Sequence, residues 1–372
     1  MVTTGFPPDI GGLERHVFEV STRLAEAGCE VTVLCADRSD RRTGTELHHG
    51  VRVERVRAWP ASRDYYLAPG LWPAMARFPC DIVHVQNYGT AVAPLAMARA
   101  ITLGVPFILT FHGGGHSSGL RHRLGPAHRR ALRPLLRRAA QLVALARFEI
   151  GMYGRELGLP PERFTLIPNG VEKPADAAVA RQPVVATIGR LERFKGHHRV
   201  LESFPVILRS RPDVGLWIVG EGPQETALRR QAASLGVAER VEFIRVPIDD
   251  PPAMASLMAR MGLMVSMSEF ETHPLIILEA VASGSLPLVA DTSGLHELAE
   301  DGLATAIPLG SSREELARAI LQRLDSPEPA PAVQLPTWDD CASRLLELYR
   351  DVVRGPKPDL HPDAPLAPGT RA

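Results

Sequence analysis

The chain has 372 residues, 45% of them apolar, and its 42 basic and 42 acidic residues balance to a formal charge of zero. This length favours about two domains, and the neutral balance argues against bulk electrostatic binding to nucleic acid. The four cysteines show no C-x-x-C spacing, which argues against a zinc site and a disulfide framework. We find no apolar run near the roughly 20 residues of a spanning helix and no secretory signal. We therefore expect a cytoplasmic protein.

Short apolar strands alternate with helical stretches in two parts of the chain. In the first part, strands are predicted at 31–35, 51–56, 81–85, 106–111 and 141–145. In the second part, they are predicted at 183–188, 215–219, 241–244, 262–266 and 286–290. This alternation is typical of parallel sheets with crossover helices. The predicted fold class is therefore α/β, with two doubly wound domains.

Proline and glycine residues between 168 and 183 indicate the boundary between these domains. We predict an N-terminal domain over 1–172 and a C-terminal domain over 173–354. Residues 355–372 are rich in proline and lack apolar periodicity, so they are predicted to form a disordered tail. Ligands of open α/β sheets bind at the carboxyl ends of strands, which favours a site in a cleft between the domains.

A cationic motif follows the strand predicted at 183–188. Gly189 ends the strand and lets the backbone approach a ligand, while Arg190 and Lys195 project beyond the strand end. Lysine occurs only three times in the chain, which argues against an accidental placement of Lys195. Two cations at a strand end suit a diphosphate, although a solvated basic loop has the same pattern.

A second motif, EFETHPLIILEA at 269–280, carries two carboxylates. Glu271 and Glu279 flank a turn through His273 and Pro274 that opens an apolar helix at Leu275. Free N–H groups at the start of that helix favour phosphate oxygens, and ionised carboxylates accept hydrogen bonds from vicinal hydroxyls. The two motifs together predict a pocket for an anion beside the hydroxyls of a ribose and a hexose.

The motifs G-R-L-x-x-x-K-G and E-x7-E resemble those of the family 4 glycosyltransferases. Further stretches are similar to family segments in the same order, namely PPDIGGLERHV at 7–17, LTFHG at 109–113, LIPNGVE at 166–172 and VGEGP at 219–223. The resemblance implies the GT-B fold, in which two Rossmann-like doubly wound domains face a central cleft. It also implies a retaining hexosyltransferase that uses a nucleoside diphosphate sugar, UDP- or GDP-linked, and a hydroxyl acceptor in polysaccharide or glycolipid assembly.

The resemblance also implies a role for each site residue. Arg190 and Lys195 would stabilise the leaving diphosphate, Glu271 would hold the sugar, and Glu279 would hold the ribose. His112 would position the transferring sugar. The implied catalytic residues are therefore His112, Glu271, Arg190 and Lys195, and the implied donor site comprises Gly11, Gly12, Gly189, Arg190, Lys195, Glu271, His273, Pro274, Leu275 and Glu279.

We expect no cofactor and no metal, because retaining GT-B enzymes generally need no bound metal. The histidines at 112, 116, 122 and 128 fit no spacing of metal ligands.

The chain departs from the family pattern at three places. Only about half of the usual first strand precedes the Gly-Gly loop, so either the true start lies upstream or the first sheet has a stunted central strand. Thr272, His273 and Pro274 replace the usual Gly-Phe-Gly, and proline lacks an N–H donor. His273 would then donate from its ring or contact the sugar. Ala146 stands where the family often has a capping serine, which would cost about 1 kcal/mol.

A basic segment at 121–140 has arginines on one face and leucines on the other. Such a helix can lie on an anionic membrane surface, although a solvated surface helix has the same pattern. Under the first interpretation the acceptor is lipid-linked and the enzyme contacts the inner face of the membrane. The arginines concerned are Arg129, Arg130, Arg133, Arg137 and Arg138.

Two other functions fit the same pocket. A nucleotide-sugar epimerase would need no acceptor and would change only the configuration of the donor sugar. A non-catalytic nucleotide-sugar-binding subunit would bind the donor without turnover, and the short first strand and the His-Pro replacement favour this alternative.

Overall fold

A computed structural model describes residues 1–9, 11–38, 43–60, 66–113, 119–172, 180–247, 251–327 and 333–355. These residues form two sheets, of eight and six strands. Residues 356–372 of the predicted tail lie outside the described residues, as do residues 173–179 after the predicted boundary.

The first domain contains the eight-stranded sheet. Its elements are β1 (Val2–Thr3), α1 (Gly12–Glu26), β2 (Thr32–Asp37), β3 (Gly44–His48), β4 (Val51–Arg57), α2 (Leu71–Arg77), β5 (Val83–Gln86), α3 (Val92–Leu103), β6 (Phe107–Thr110), α4 (Gly119–Leu136), β7 (Gln141–Ala144), α5 (Arg147–Leu157) and β8 (Phe164–Leu166). The strand order is β3-β4-β2-β1-β5-β6-β7-β8, and only the pairing of β3 with β4 is antiparallel among the described pairs.

The second domain contains the six-stranded parallel sheet. Its elements are β9 (Val184–Ile188), α6 (His197–Ser210), β10 (Gly215–Val219), α7 (Glu225–Ser234), β11 (Val241–Ile244), α8 (Pro251–Arg260), β12 (Leu263–Ser266), α9 (Leu275–Ala282), β13 (Leu288–Ala290), α10 (Ser293–Glu300), β14 (Thr305–Ile307) and α11 (Arg313–Asp325). The strand order β11-β10-β9-β12-β13-β14 is that of a dinucleotide-binding Rossmann sheet. The prediction of two doubly wound α/β domains is confirmed.

The first strand of the chain is short and central. β1 has two residues, and Val2 pairs with Leu34 of β2 on one side and Val85 of β5 on the other. The part of the first strand that this sequence contains therefore lies in the centre of the first sheet. The apolar contacts of Val2, which is 2% exposed, hold the short strand in the core.

The last helix, α12 (Trp338–Arg354), packs on the first domain. Trp338, Cys341 and Leu345 are buried with Val17 and Val20 of α1 in a single apolar cluster. A capping box of Thr337 and Asp340 fixes the start of the helix. The predicted domain limits placed this helix in the C-terminal domain, and its packing corrects that assignment. The sequence shows that the helix is amphipathic but not which domain supplies the complementary surface.

Candidate active site

Both predicted motifs lie at the point where the strand order of the second sheet reverses. β9 has β10 on one side and β12 on the other, and these parallel strands are connected in opposite directions. The cationic motif follows β9, and the carboxylate motif follows β12. The crevice at such a switch point is the usual ligand site of a doubly wound sheet.

Lys195 and Glu271 form an ion pair between these two motifs. The Nζ atom of Lys195 lies 2.6 Å from Oε1 of Glu271, and their side chains are 19% and 14% exposed. Gly196 makes this approach possible, because its φ is 75° and a Cβ atom there would lie 1.9 Å from the carbonyl oxygen of Met267. The loop after β9 is therefore held tightly against the loop after β12.

Arg190 is the exposed cation of the site. Its side chain is 56% exposed and lies 2.6 Å from Oε1 of Glu192. Gly189, just before it, has a φ of 149° and donates its N–H to Val219 at 2.9 Å. Arg190 thus lies at the end of a buried strand, and its exposed side chain can move to a ligand.

Glu279 pairs with a cation from the other domain. Its Oε1 atom accepts a hydrogen bond from the guanidinium of Arg15 on α1, and its side chain is 15% exposed. Burial raises the pKa of Glu279, and the neighbouring Arg15 partly offsets this effect. A carboxylate in this position needs a partner, and Arg15 supplies one across the interface between the domains.

The two helix starts that the motifs predicted face each other. Gly11 is the N-cap of α1, and a Cβ atom on Gly12 would lie 3.9 Å from Cδ1 of Leu275, the first residue of α9. Pro274 is the N-cap of α9 and makes no side-chain capping bond. Helix starts carry N–H groups without intrahelical partners, so two partial positive charges converge here.

His273 carries a buried ring nitrogen that has no protein partner among the described residues. This atom is Nδ1, whereas the backbone oxygen of the same residue accepts a hydrogen bond from Asn169 at 2.9 Å. The hydroxyl of Thr272 also donates to the carbonyl of Gly113 in the first domain. The turn that replaces Gly-Phe-Gly is therefore fixed against the first domain, with a polar atom that a ligand could satisfy.

His112 lies at the carboxyl end of β6. Its Nε2 atom is 2.7 Å from Oε1 of Gln86, and its ring packs edge-on against His16 with centroids 4.7 Å apart. Burial, reinforced by the nearby His16 and His84, holds the pKa of His112 well below its usual range. His112 is therefore neutral at pH 7.

The start of α5 is capped by carboxylates in place of the serine that Ala146 replaces. Glu149 accepts from the N–H of Leu145 at 2.8 Å, and Glu297 of the second domain accepts from Arg147 and Phe148 at 2.8 and 3.0 Å. Burial raises the pKa of Glu149 to about 8. The expected loss of capping is compensated by Glu297, which accepts from the first two N–H groups of the helix, where negative charge is favourable.

Sequence reasoning missed several residues at this interface. Arg15 and His16 follow the Gly-Gly pair inside the stretch 7–17, and Asn169 lies inside the stretch 166–172. Both stretches resemble family segments, and that resemblance was the signal that could have indicated these residues. Glu297 carried no such signal.

Buried neutral histidines predict a fold that is sensitive to acid. Burial lowers the pKa of His16, His197 and His273 to about 4. In the unfolded chain each titrates near 6.5, so stability is present above that pH and is lost as the pH falls towards 4. At pH 5 each should cost about 2 kcal/mol relative to pH 7. Urea unfolding of the wild-type protein and of His197→Gln at both pH values measures this, with a weaker pH dependence expected for the variant. An equal pH dependence in the two proteins would contradict it.

Two general features concern membranes and metals. In the described parts of the chain, no helix combines the length and the apolar character needed to cross a membrane. The same residues contain no group of three or more His, Cys, Asp or Glu side chains placed to hold a metal ion.

Comparisons with known proteins bear on the identity of the chain. The family model described as Glycosyltransferase Family 4 matches residues 10–173, and the model described as Glycosyl transferases group 1 matches residues 171–333. Together these models span most of the chain.

Individual relatives and structures agree with the family models. A glycogen synthase of Mycobacterium tuberculosis is 28% identical over 97% of this chain and 97% of its own. A GDP-mannose-dependent monoacylated alpha-(1-6)-phosphatidylinositol monomannoside mannosyltransferase of Corynebacterium glutamicum is 25% identical over 88% of both chains. The crystal structure of Anabaena HepE with UDP and glucose has a TM-score of 0.72 at 18% identity, covering 94% of this chain and 98% of that one. The chain belongs to the family 4 glycosyltransferases and is a hexosyltransferase of the GT-B fold.

Proposed function

We propose that the protein transfers a hexosyl group from a UDP- or GDP-linked sugar to a hydroxyl acceptor, with retention at the anomeric carbon. The observation that carries this proposal is the convergence at the switch point of the second sheet. There the Lys195–Glu271 and Arg15–Glu279 pairs lie beside the facing starts of α1 and α9. Cations and helix starts suit a diphosphate, and the carboxylates suit sugar hydroxyls.

Donor binding would exchange the partners of these charged groups. The ribose hydroxyls would donate to Glu279 in place of Arg15, and the hexose hydroxyls would donate to Glu271. Lys195 and Arg190 would then turn to the diphosphate, where charge-assisted bonds are strong. His273 would donate from its ring to the donor. Each carboxylate thus keeps hydrogen-bond partners in both states, and Arg15 still has Glu19 at 3.6 Å.

The reaction needs one bond to form and one to break. The acceptor oxygen bonds to the anomeric carbon on the face from which the diphosphate leaves, and the bond from that carbon to the diphosphate oxygen breaks. The acceptor proton passes to a diphosphate oxygen. Arg190 and Lys195 stabilise the negative charge that develops on the leaving group. No protein nucleophile, cofactor or metal forms part of this proposal.

The donor and acceptor classes draw on the relatives. The relatives include a glycogen synthase and a GDP-mannose-dependent mannosyltransferase of a phosphatidylinositol mannoside. The HepE structure holds UDP and glucose. We infer polysaccharide or glycolipid assembly as the setting. Membership of a transferase family favours transfer over epimerisation and over binding without turnover.

A ligand screen followed by product analysis tests the proposed function. A thermal-shift screen of UDP-, GDP- and ADP-sugars should show one base raising the melting temperature, because ligands of the native state stabilise it. NMR of the product formed from that donor should show the donor's anomeric configuration. An inverted product would refute retention, and a changed donor sugar formed without acceptor would identify an epimerase.

A lipid-linked acceptor is the more specific part of the proposal, and it depends on α4 and the turn that follows it, which holds Arg137 and Arg138. Arg130 is exposed, whereas Arg133, Arg137 and Arg138 are partly buried; the side chain of Arg129 lies outside the described residues. Each arginine near an anionic surface contributes about 1 kcal/mol, screened by salt.

We expect the protein to sediment with anionic vesicles at low salt, and Arg130→Glu, Arg137→Glu and Arg138→Glu combined should abolish this. A matched control reverses three exposed arginines of the second domain, Arg209, Arg230 and Arg318. Donor binding should survive in both variants. Wild-type protein that stays in the supernatant at low salt would indicate a soluble acceptor.

A further inference from the structure

The His112 side chain is linked to the interior of the first domain by a chain of buried polar groups. His112 bonds through Nε2 to Gln86 Oε1 at 2.7 Å. The amide nitrogen of Gln86 lies 3.3 Å from both ring nitrogens of His84. Gln86 is 1% exposed and His84 is 2% exposed, so water competes little for these bonds.

His84 is itself anchored at both ring nitrogens. Its Nδ1 atom lies 2.5 Å from the hydroxyl of Tyr349 on α12, and its Nε2 atom lies 2.7 Å from the hydroxyl of Thr110 on β6. Burial lowers the pKa of His84 well below its usual range and raises that of Tyr349 well above its own. A neutral imidazole has one donor and one acceptor nitrogen, and hydroxyl groups can satisfy both.

The orientation of the Gln86 amide sets the donor and the acceptor in its bond to His112. The amide NH₂ group is a donor and faces His84, whose neutral ring offers one acceptor nitrogen. The amide oxygen can only accept, and it faces His112. The Nε2 atom of His112 must therefore be the donor in the bond to Gln86. Because the ring is neutral, its Nδ1 atom then carries a lone pair.

We propose that Gln86 is a positioning residue that holds His112 in the tautomer protonated at Nε2, so that Nδ1 accepts a hydrogen bond from a hydroxyl of the transferring sugar. This inference rests on the proposed function for the sugar contact alone. The tautomer itself follows from the amide oxygen of Gln86, which faces Nε2 of His112. Fixing a histidine tautomer through the bond of its other nitrogen is a common way to set its role.

The tautomer can be measured without any substrate. The ¹⁵N spectrum of histidine-labelled protein distinguishes a protonated from an unprotonated ring nitrogen, and a His112→Asn sample assigns the His112 signals. We expect a protonated Nε2 and an unprotonated Nδ1 in the wild-type protein. Gln86→Leu should give a mixture of tautomers, whereas Gln86→Glu, which places a carboxylate at the same distance, should give a ring protonated at both nitrogens.

Steady-state kinetics distinguish a positioning role of Gln86 from a general effect of its substitution on folding. With the donor found in the ligand screen, Gln86→Leu should lower kcat by at least about 10-fold and leave the donor KM within about 2-fold. Tyr349→Phe serves as a second variant, since it keeps the aromatic ring of residue 349 but removes the hydroxyl that bonds His84. The fraction of His112 protonated at Nδ1 should rise less in Tyr349→Phe than in Gln86→Leu.

Three outcomes would overturn the inference. The first is a wild-type His112 protonated at Nδ1, and the second is a Gln86→Leu protein with the wild-type tautomer. The third is an altered tautomer with unchanged kcat. If no donor supports transfer at all, the proposed function fails while the spectrum still decides the role of Gln86.

Discussion

Replacing Lys195 with alanine should weaken hexosyl transfer by on the order of 10²-fold or more, with the fold intact. The ammonium group lies 2.6 Å from Glu271 in a crevice where both side chains are largely shielded from water. Charge-assisted hydrogen bonds contribute about 1.5–3 kcal/mol each, and about 1.4 kcal/mol corresponds to a factor of ten. Because the diphosphate gains charge as it leaves, the loss should fall on the transition state and lower kcat.

Arg190→Ala should give a loss of the same order, although this side chain is 56% exposed in the structure. The expected loss depends on its movement from Glu192 to the diphosphate. The matched control is Arg229→Ala, which removes an exposed cation that is likewise paired with a nearby carboxylate, that of Glu225. Steady-state kinetics of the three variants, with circular dichroism to verify folding, measure the effect. Near wild-type turnover in both Lys195→Ala and Arg190→Ala would show that the diphosphate lies elsewhere.

Glu279→Gln should reduce the affinity for the free nucleoside diphosphate by about 10-fold, since a hydrogen bond to a charged acceptor is lost. Glu271→Gln should leave that affinity near the wild-type value and depress sugar transfer instead. The difference follows from the separate partners of the two carboxylates, which are Arg15 of the first domain for Glu279 and Lys195 for Glu271.

Calorimetry with the nucleoside diphosphate alone, followed by kinetics with the complete donor, separates the two roles. The glutamine variants keep the size of the side chain, so each serves as the packing control for the other. An equal loss of nucleoside diphosphate binding in both would show that ribose and hexose contacts are not divided between Glu279 and Glu271. Unchanged binding in Glu279→Gln would remove that residue from the ribose site.

Ten strands were predicted from the sequence, and all of them except β11 lie inside the sheets. Each of the ten predicted strands occurs within two residues of its expected limits, because continuous apolar runs mark strands that are buried on both faces. The strands that were not predicted are β3, β8 and β14, whereas about half of the usual first strand was expected where β1 lies. β3 is an edge strand that is mostly exposed, so its residues carry no apolar run, and β1 has only two residues. Short and exposed strands show neither a continuous apolar run nor a clear alternation of apolar and polar residues, so the sequence indicates them poorly.

The local parts of the site were predictable, and the contacts across the domains were not. Gly196 and Pro274 are recognisable from the turn chemistry of their own segments. The pair of Arg15 with Glu279 joins residues 264 positions apart, and the bond of Asn169 to His273 joins residues 104 positions apart. No periodicity or spacing connects such residues, because their proximity depends on how two separately folded sheets meet. The domain on which α12 packs could not be predicted for the same reason.

The return of α12 to the first domain means that the polypeptide passes between the domains twice. The two passages touch each other, since the N–H of Val171 donates to the carbonyl of Pro336 at 2.9 Å. A Cβ atom on Gly170 would lie 2.3 Å from the backbone nitrogen of Trp338, so the backbones are in close contact. Two adjacent covalent connections therefore join the domains. A rotation that opens the crevice between Gly12 and Leu275 would have to be accommodated by both connections at once, which restrains it more than one connection would.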